Sequence, residues 1–259
     1  MAEFPANSGK DWPNEEDPAR VFPPTSISLY QRIVSGAAEL SEEALGEFFE
    51  LYWYPMYALM RSRGESHEDA ADLVQGFVTD QLLQRDQVRN WNPQEGRLRT
   101  FLKVALDRYR VSAYRKATAL KRGGSQIRIS MDFAWAEGFY AGSLLDRNSP
   151  DRLYDRAWAD STMERALAWV SEDYARRGRM EEFQLLSQHL SARTGEEAAI
   201  GYREIAERLG TTANNVKQKM SGYRQRLRNA LIAATAQTVG SEQVADEVNY
   251  LFQVLLGAP

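Results

Sequence analysis

The sequence predicts an all-α protein made of two helical domains joined by a linker, and three observations predict it. Apolar residues recur at spacings of three and four along most of the chain, and strand-like alternation is rare. Gly- and Pro-bearing breaks divide the chain into runs of helical length. Positive charge is gathered into two blocks, although the chain as a whole carries −4.

Those blocks carry the first functional signal. Residues 97–128 hold ten Lys/Arg and one acid, Asp107, and residues 202–228 hold seven Lys/Arg and two Glu. The first fifty residues carry ten acids and three bases, and the tail from Gln237 carries three acids and no base. Phosphate contacts supply much of the affinity in protein–DNA binding, so the two blocks are the expected DNA footprints.

Composition excludes other classes. With no Cys there are no disulfides or thiolate metal sites, which fits a reducing cytoplasm. No apolar run is long enough to span a membrane. The N-terminus, with Glu3, Asp11, Glu15 and Glu16, lacks the apolar core of a signal peptide. A cytoplasmic protein with no membrane partner is expected.

Residues 1–26 contain five of the nine prolines and read as a disordered acidic segment. The first domain is placed at 27–122, with helices near 28–36, 41–63, 67–84 and 97–118. Gly123-Gly124 opens a linker at 123–149. The second domain spans 150–236, with helices near 150–177, 180–193, 202–209 and 213–233. An acidic C-terminal extension, 237–259, carries a helix near 241–256.

Ser66 followed by Asp69 forms a helix-start signal of the capping-box kind. In the helix that follows, Ala70, Val74, Phe77 and Val78 share one face, and Asp69, Asp72 and Asp80 lie roughly opposite. That acidic face is either solvated or a docking face for a basic helix. The segment Asn90-Trp91-Asn92-Pro93-Gln94-Glu95-Gly96 is a loop. Its Trp91 either packs on its own domain or stacks on an unpaired base. The next helix puts Leu98, Leu102, Ala105, Tyr109 and Ala113 on its core side. Lys103, Asp107, Arg110 and Tyr114 form a stripe away from it, flanked by Arg99, with Arg97, Arg108 and Arg115 toward the other side. So many bases around one acid point to a polyanionic partner.

Residues 202–231 read as a helix-turn-helix. Ile205, Ala206 and Leu209 face inward, Gly210-Thr211-Thr212 makes the turn, and Thr212 caps the second helix. Val216, Met220, Tyr223 and Leu227 form its inner face. Asn214, Asn215, Lys217, Gln218, Ser221 and Arg224 face outward, where Asn and Gln can read adenine and Arg and Lys can read guanine or hold phosphate.

Nothing points to catalysis. The two histidines, His67 and His189, stand in unrelated contexts, and there is no Gly-rich phosphate loop. Asp69 and Asp72 have no His companion, so no metal site is expected. The expectation is a non-enzyme with no catalytic residue, cofactor or metal. One reading of these residues is a stand-alone helix-turn-helix transcriptional regulator.

The chain resembles bacterial RNA polymerase sigma factors of the two-domain extracytoplasmic-function type. The likeness covers roughly 45–122 (a region 2-like bundle) and 160–231 (a region 4-like helix-turn-helix). It rests on DAADLVQGFV, WNPQEGRLRTFL, ALDRYRVSAYRK and YREIAERLGTTANNVKQKMSGYRQRLRNAL, in that order. It implies that Asp69, Asp72 and Gln75 meet the clamp helices of the polymerase β′ subunit. It implies that Trp91, Lys103, Arg108, Arg110 and Arg115 hold the −10 promoter element, with Trp91 helping to capture a flipped base. It further implies that Asn214, Asn215, Lys217, Gln218, Ser221 and Arg224 contact the −35 duplex. Core polymerase, including its β flap, and promoter DNA are the implied partners, with an anti-sigma factor or a kinase as a possible controller. Two positions depart from the pattern. Asp107 and Arg108 stand where a basic residue and Asn are usual, and Gly222 replaces a usual base. Charge alone suggests that the acidic ends cover the basic faces in the free protein.

Overall fold

The computed structural model describes residues 42–80, 91, 96–119, 149–191 and 200–256. The Pro-rich segment 1–26, the helix expected at 28–36, loop residues 92–95 and most of the 123–149 linker lie outside the described residues. Among the described residues there are eight α-helices and no strand. They are α1 (Glu42–Ser62), α2 (His67–Phe77), α3 (Leu98–Ala119), α4 (Pro150–Arg176), α5 (Met180–Ser191), α6 (Tyr202–Arg208), α7 (Ala213–Ala236) and α8 (Val244–Leu255). No described helix is long and apolar enough to cross a membrane.

α1 is the central element. Leu51 through Met60 are buried without a break, because neighbours enclose this stretch of the helix on all sides. It packs most extensively on α4, and also on α2 and α3. Gly64, at φ +92°, ends it, and the Glu65 N–H donates back to the Met60 carbonyl at 3.2 Å. Ser66 then caps α2 by accepting from the Asp69 N–H at 3.0 Å, and its hydroxyl donates to the Asp69 carboxylate at 2.7 Å. The start signal read from the sequence is therefore present.

α4 is shared by both helical units. It begins with Ser149 as cap and Pro150 in the first turn, a favoured arrangement. Near its start Tyr154 donates to the Arg99 carbonyl of α3 at 3.0 Å. Near its end Tyr174 meets the rings of Phe183 on α5 and Tyr223 on α7, at 5.8 and 6.2 Å. One continuous cluster of buried apolar residues runs from Leu51 through Trp158 and Tyr174 to Leu231 and Leu251. α8 packs on α4 and α7, burying Val248 and Leu251.

The inner faces follow the expected spacing with one adjustment. Ala70, Val74, Phe77 and Val78 are buried, as are Ile205, Ala206, Val216, Met220, Tyr223 and Leu227. On α3 the deepest positions are Leu98, Leu102 and Leu106, whereas Ala105 and Tyr109 are only partly buried. The buried line is rotated toward Leu106 because Tyr109 turns to α2. Its ring packs edge-on against Phe77 and its hydroxyl donates to Asp80 at 3.0 Å.

Candidate nucleic-acid interface

Two polar-basic helix faces are candidates, and the structure treats them differently. In the helix-turn-helix, Gly210 takes φ +60°, which lets the Thr211 N–H return to the Ala206 carbonyl at 2.9 Å. Thr212 caps α7 through the Asn215 N–H at 3.2 Å. With the inner face of α7 buried, Asn214, Asn215, Lys217, Gln218, Ser221 and Arg224 are all exposed on the outer one. Asn215 also donates from its amide to the Thr211 hydroxyl at 2.9 Å, which holds it against the turn. All six residues expected at the −35 duplex therefore share one open face.

Charge pairs fix how α7 sits. Lys219 donates to Glu182 on α5 at 2.7 Å, and Arg179 closes on the same carboxylate. Arg226 lies 3.6 Å from Asp173 of α4. Burial pushes the Glu182 carboxyl up, but the hydrogen bonds from Lys219 and Arg179 outweigh it and hold the group below the usual range.

The basic helix α3 is arranged otherwise. Its stripe of Lys103, Asp107, Arg110 and Tyr114 turns toward the α1–α2 loop and the start of α4. Arg63 donates to both oxygens of Asp107, at 2.7 and 3.2 Å, and reaches Asp151 at 3.5 Å. The Asp107 hydrogen bond, opposed by burial, keeps the Arg63 guanidinium above its usual pKa. Arg110 donates to Glu65 at 2.5 Å, and the Tyr114 hydroxyl donates to the other oxygen of that buried acid. Lys103 lies 3.8 Å from Asp151 and 5.9 Å from the centre of the Tyr154 ring.

Two residues expected to hold the −10 element, Lys103 and Arg110, are thus half-buried and paired with acids of the fold. Arg108 and Arg115 are exposed. They line an open groove of about 500 Å³ with Val104, Asp107, Val111 and Ser112. Trp91 is 6% exposed, belongs to the core cluster and donates from Nε1 to the Gly96 carbonyl at 2.8 Å. It anchors the end of its loop and does not display an open ring face. Asp69 and Asp72 are exposed on α2 with Gln75 half-buried beside them, while Asp80 accepts from Tyr109.

The head of α3 joins a third charged cluster. Arg99, buried, donates to Glu247 of α8 at 2.6 Å and to Asp155 of α4 at 2.8 Å. Burial works against the Arg99 charge, and Glu247 and Asp155 more than offset it. The acids that neutralise α3, namely Glu65, Asp151, Asp155 and Glu247, were not singled out from the sequence. Single residues carry no mark of which distant partner they meet.

Among the described residues no group of three or more His, Asp or Glu side chains is placed to hold a metal. His67 pairs with the Tyr57 hydroxyl at 2.7 Å and ties α2 to α1, and His189 pairs with the Ile200 carbonyl at 2.6 Å and ties α5 to the residues ahead of α6. No known protein family, curated protein or solved structure significantly matches the chain.

Proposed function

We propose that the chain is a promoter-specificity subunit of bacterial RNA polymerase, a sigma factor of the extracytoplasmic-function type. One observation carries the reading. A helix-turn-helix with an outer face of Asn214, Asn215, Lys217, Gln218, Ser221 and Arg224 shares a fold with an exposed acidic patch at Asp69 and Asp72, next to a second basic helix. A duplex reader alone has no use for the acidic patch, whereas a subunit that docks on polymerase does. In this reading α7 enters the major groove of the −35 element. Arg108 and Arg115 follow the −10 strand, whose bases meet the apolar walls at Val104 and Val111. Asp69, Asp72 and Gln75 face the polymerase clamp. The chemistry of RNA synthesis belongs to the polymerase.

A second reading, a stand-alone helix-turn-helix regulator, is favoured by the pairing of Lys103 and Arg110, which leaves α7 as the more open basic face. Run-off transcription with purified bacterial core polymerase on a genomic fragment library separates the two. Discrete new start sites that vanish on the Asp69→Lys/Asp72→Lys substitution support the sigma reading. Retained duplex binding with no start sites and no binding to core replaces it with the regulator.

A further inference from the structure

Of the two acids in α8, Asp246 is exposed and Glu247 is 1% exposed. One oxygen of Glu247 lies 2.6 Å from Nε of Arg99, and the other lies 2.7 Å from a terminal nitrogen of Arg97. The Arg99 guanidinium carbon lies 4.2 Å from the centre of the Tyr250 ring and 5.0 Å from that of Trp158. Asp155 takes its remaining edge at 2.8 Å and also accepts from the Tyr250 hydroxyl at 2.8 Å. Two guanidinium groups close on one carboxylate, Arg99 through a hydrogen bond and Arg97 as an ion pair, and form an anion site. Phosphate oxygens make the same charge-assisted bonds.

Two features argue that this carboxylate is replaceable. A buried ion pair contributes little net stability, because desolvation offsets most of the attraction. α8 is also only half embedded. Val248 and Leu251 are buried, but Phe252 is 38% exposed and Leu256, just past the helix end, 79%. The site lies immediately after Gly96, whose carbonyl holds Trp91, and at the head of the helix that carries Arg108 and Arg115.

We propose that α8 is an internal competitor for nucleic acid: Glu247 fills an Arg97–Arg99 site that a DNA phosphate occupies once α8 lifts away. Neither arginine is among the DNA contacts implied by the family likeness, and the proposal rests on the DNA-binding reading above. Release of α8 exposes two guanidinium groups and removes one opposing charge, so it raises DNA affinity in a salt-dependent way.

The test uses the full chain and its Glu247→Gln variant, which keeps the side-chain shape and removes the charge. Fluorescence anisotropy with labelled mixed-sequence single-stranded and duplex DNA reads affinity against salt, and hydrogen exchange over 244–255 reads the release of α8. Glu247→Gln is expected to bind DNA about fivefold to tenfold tighter at low salt, with a salt slope steeper by about one to two ions. Adding Arg97→Gln removes much of that gain. Tyr250→Phe keeps the ring that faces Arg97 and Arg99, removes only the hydroxyl that bonds Asp155, and gives a smaller gain in the same direction. Unchanged affinity in both variants overturns the proposal, as does a gain that survives Arg97→Gln. Tighter DNA binding without polymerase-dependent start sites removes only the sigma reading. Start sites with unchanged DNA affinity remove only the competitor.

Discussion

Asp107, the one acid among the bases of 97–128, accepts two hydrogen bonds from Arg63, 44 residues earlier, at 2.7 and 3.2 Å. It acts as a staple between the α1–α2 loop and α3. Both side chains remain about one-third exposed, so water screens the pair. Asp107→Ala and Arg63→Ala are each expected to cost about 1 kcal/mol. The double variant should lose less than the sum, because the two share one interaction. Urea unfolding of the four proteins supplies the cycle, and additive losses would show that the staple contributes nothing.

Trp91 separates a structural role from a base-stacking one. Its indole is packed in the core and its N–H donates to the Gly96 carbonyl. Trp91→Phe keeps most of the buried ring and loses the hydrogen bond, at a cost of about 1 kcal/mol. Trp91→Ala empties the site, at a cost of about 3–5 kcal/mol. Thermal and urea unfolding check both values. A stable Trp91→Ala protein with impaired promoter opening would place the indole's work on the DNA.

Acid should expose the pair that seats α7. Glu182 is held below the usual carboxyl range because the Lys219 and Arg179 hydrogen bonds outweigh burial. A lowered carboxyl stabilises the fold above the unfolded-chain value, about pH 4.3. That contribution drains away as pH falls through the lower folded value. Glu182→Gln is therefore expected to cost about 1–2 kcal/mol at neutral pH, with the gap to the parent closing below about pH 4. Unfolding free energies measured from pH 3 to pH 7 test this, and a gap independent of pH would assign the loss to shape alone.

The outer face of α7 predicts two kinds of DNA defect. Lys217→Ala removes a point charge and should weaken all duplexes alike, reducing the salt slope by about one. Gln218→Ala removes a base-edge group and should cost about 1–3 kcal/mol on the preferred sequence alone. Both side chains are exposed, so folding stability should change by less than about 0.5 kcal/mol. Anisotropy titrations on a promoter series distinguish the two patterns.

Helices were legible where one face must leave water. The period of α2 and α7 named Val74, Phe77, Val216, Met220 and Tyr223 as buried, and Ser66 and Thr212 marked the helix starts through local hydrogen bonds. On α3 the same reasoning missed Leu106, because Tyr109 could satisfy either face until Asp80 and Phe77 claimed it. The outward residues of α7 were legible for the same local reason, being opposite a clear apolar line.

The sequence by itself determined the helical class, the helix-turn-helix and the exposed polar-basic face of α7, since each follows from contacts within a few residues. Tertiary structure alone decided which of the basic side chains meet which acids. Lys103, Arg110, Arg97 and Arg99 look alike in the sequence as members of one basic block. Acids brought from 45 to 150 residues away along the chain neutralise them, while Arg108 and Arg115 stay exposed. Any base can pair with any acid in a linear chain, and only the packing of α1, α4 and α8 around α3 brings particular partners within bonding distance.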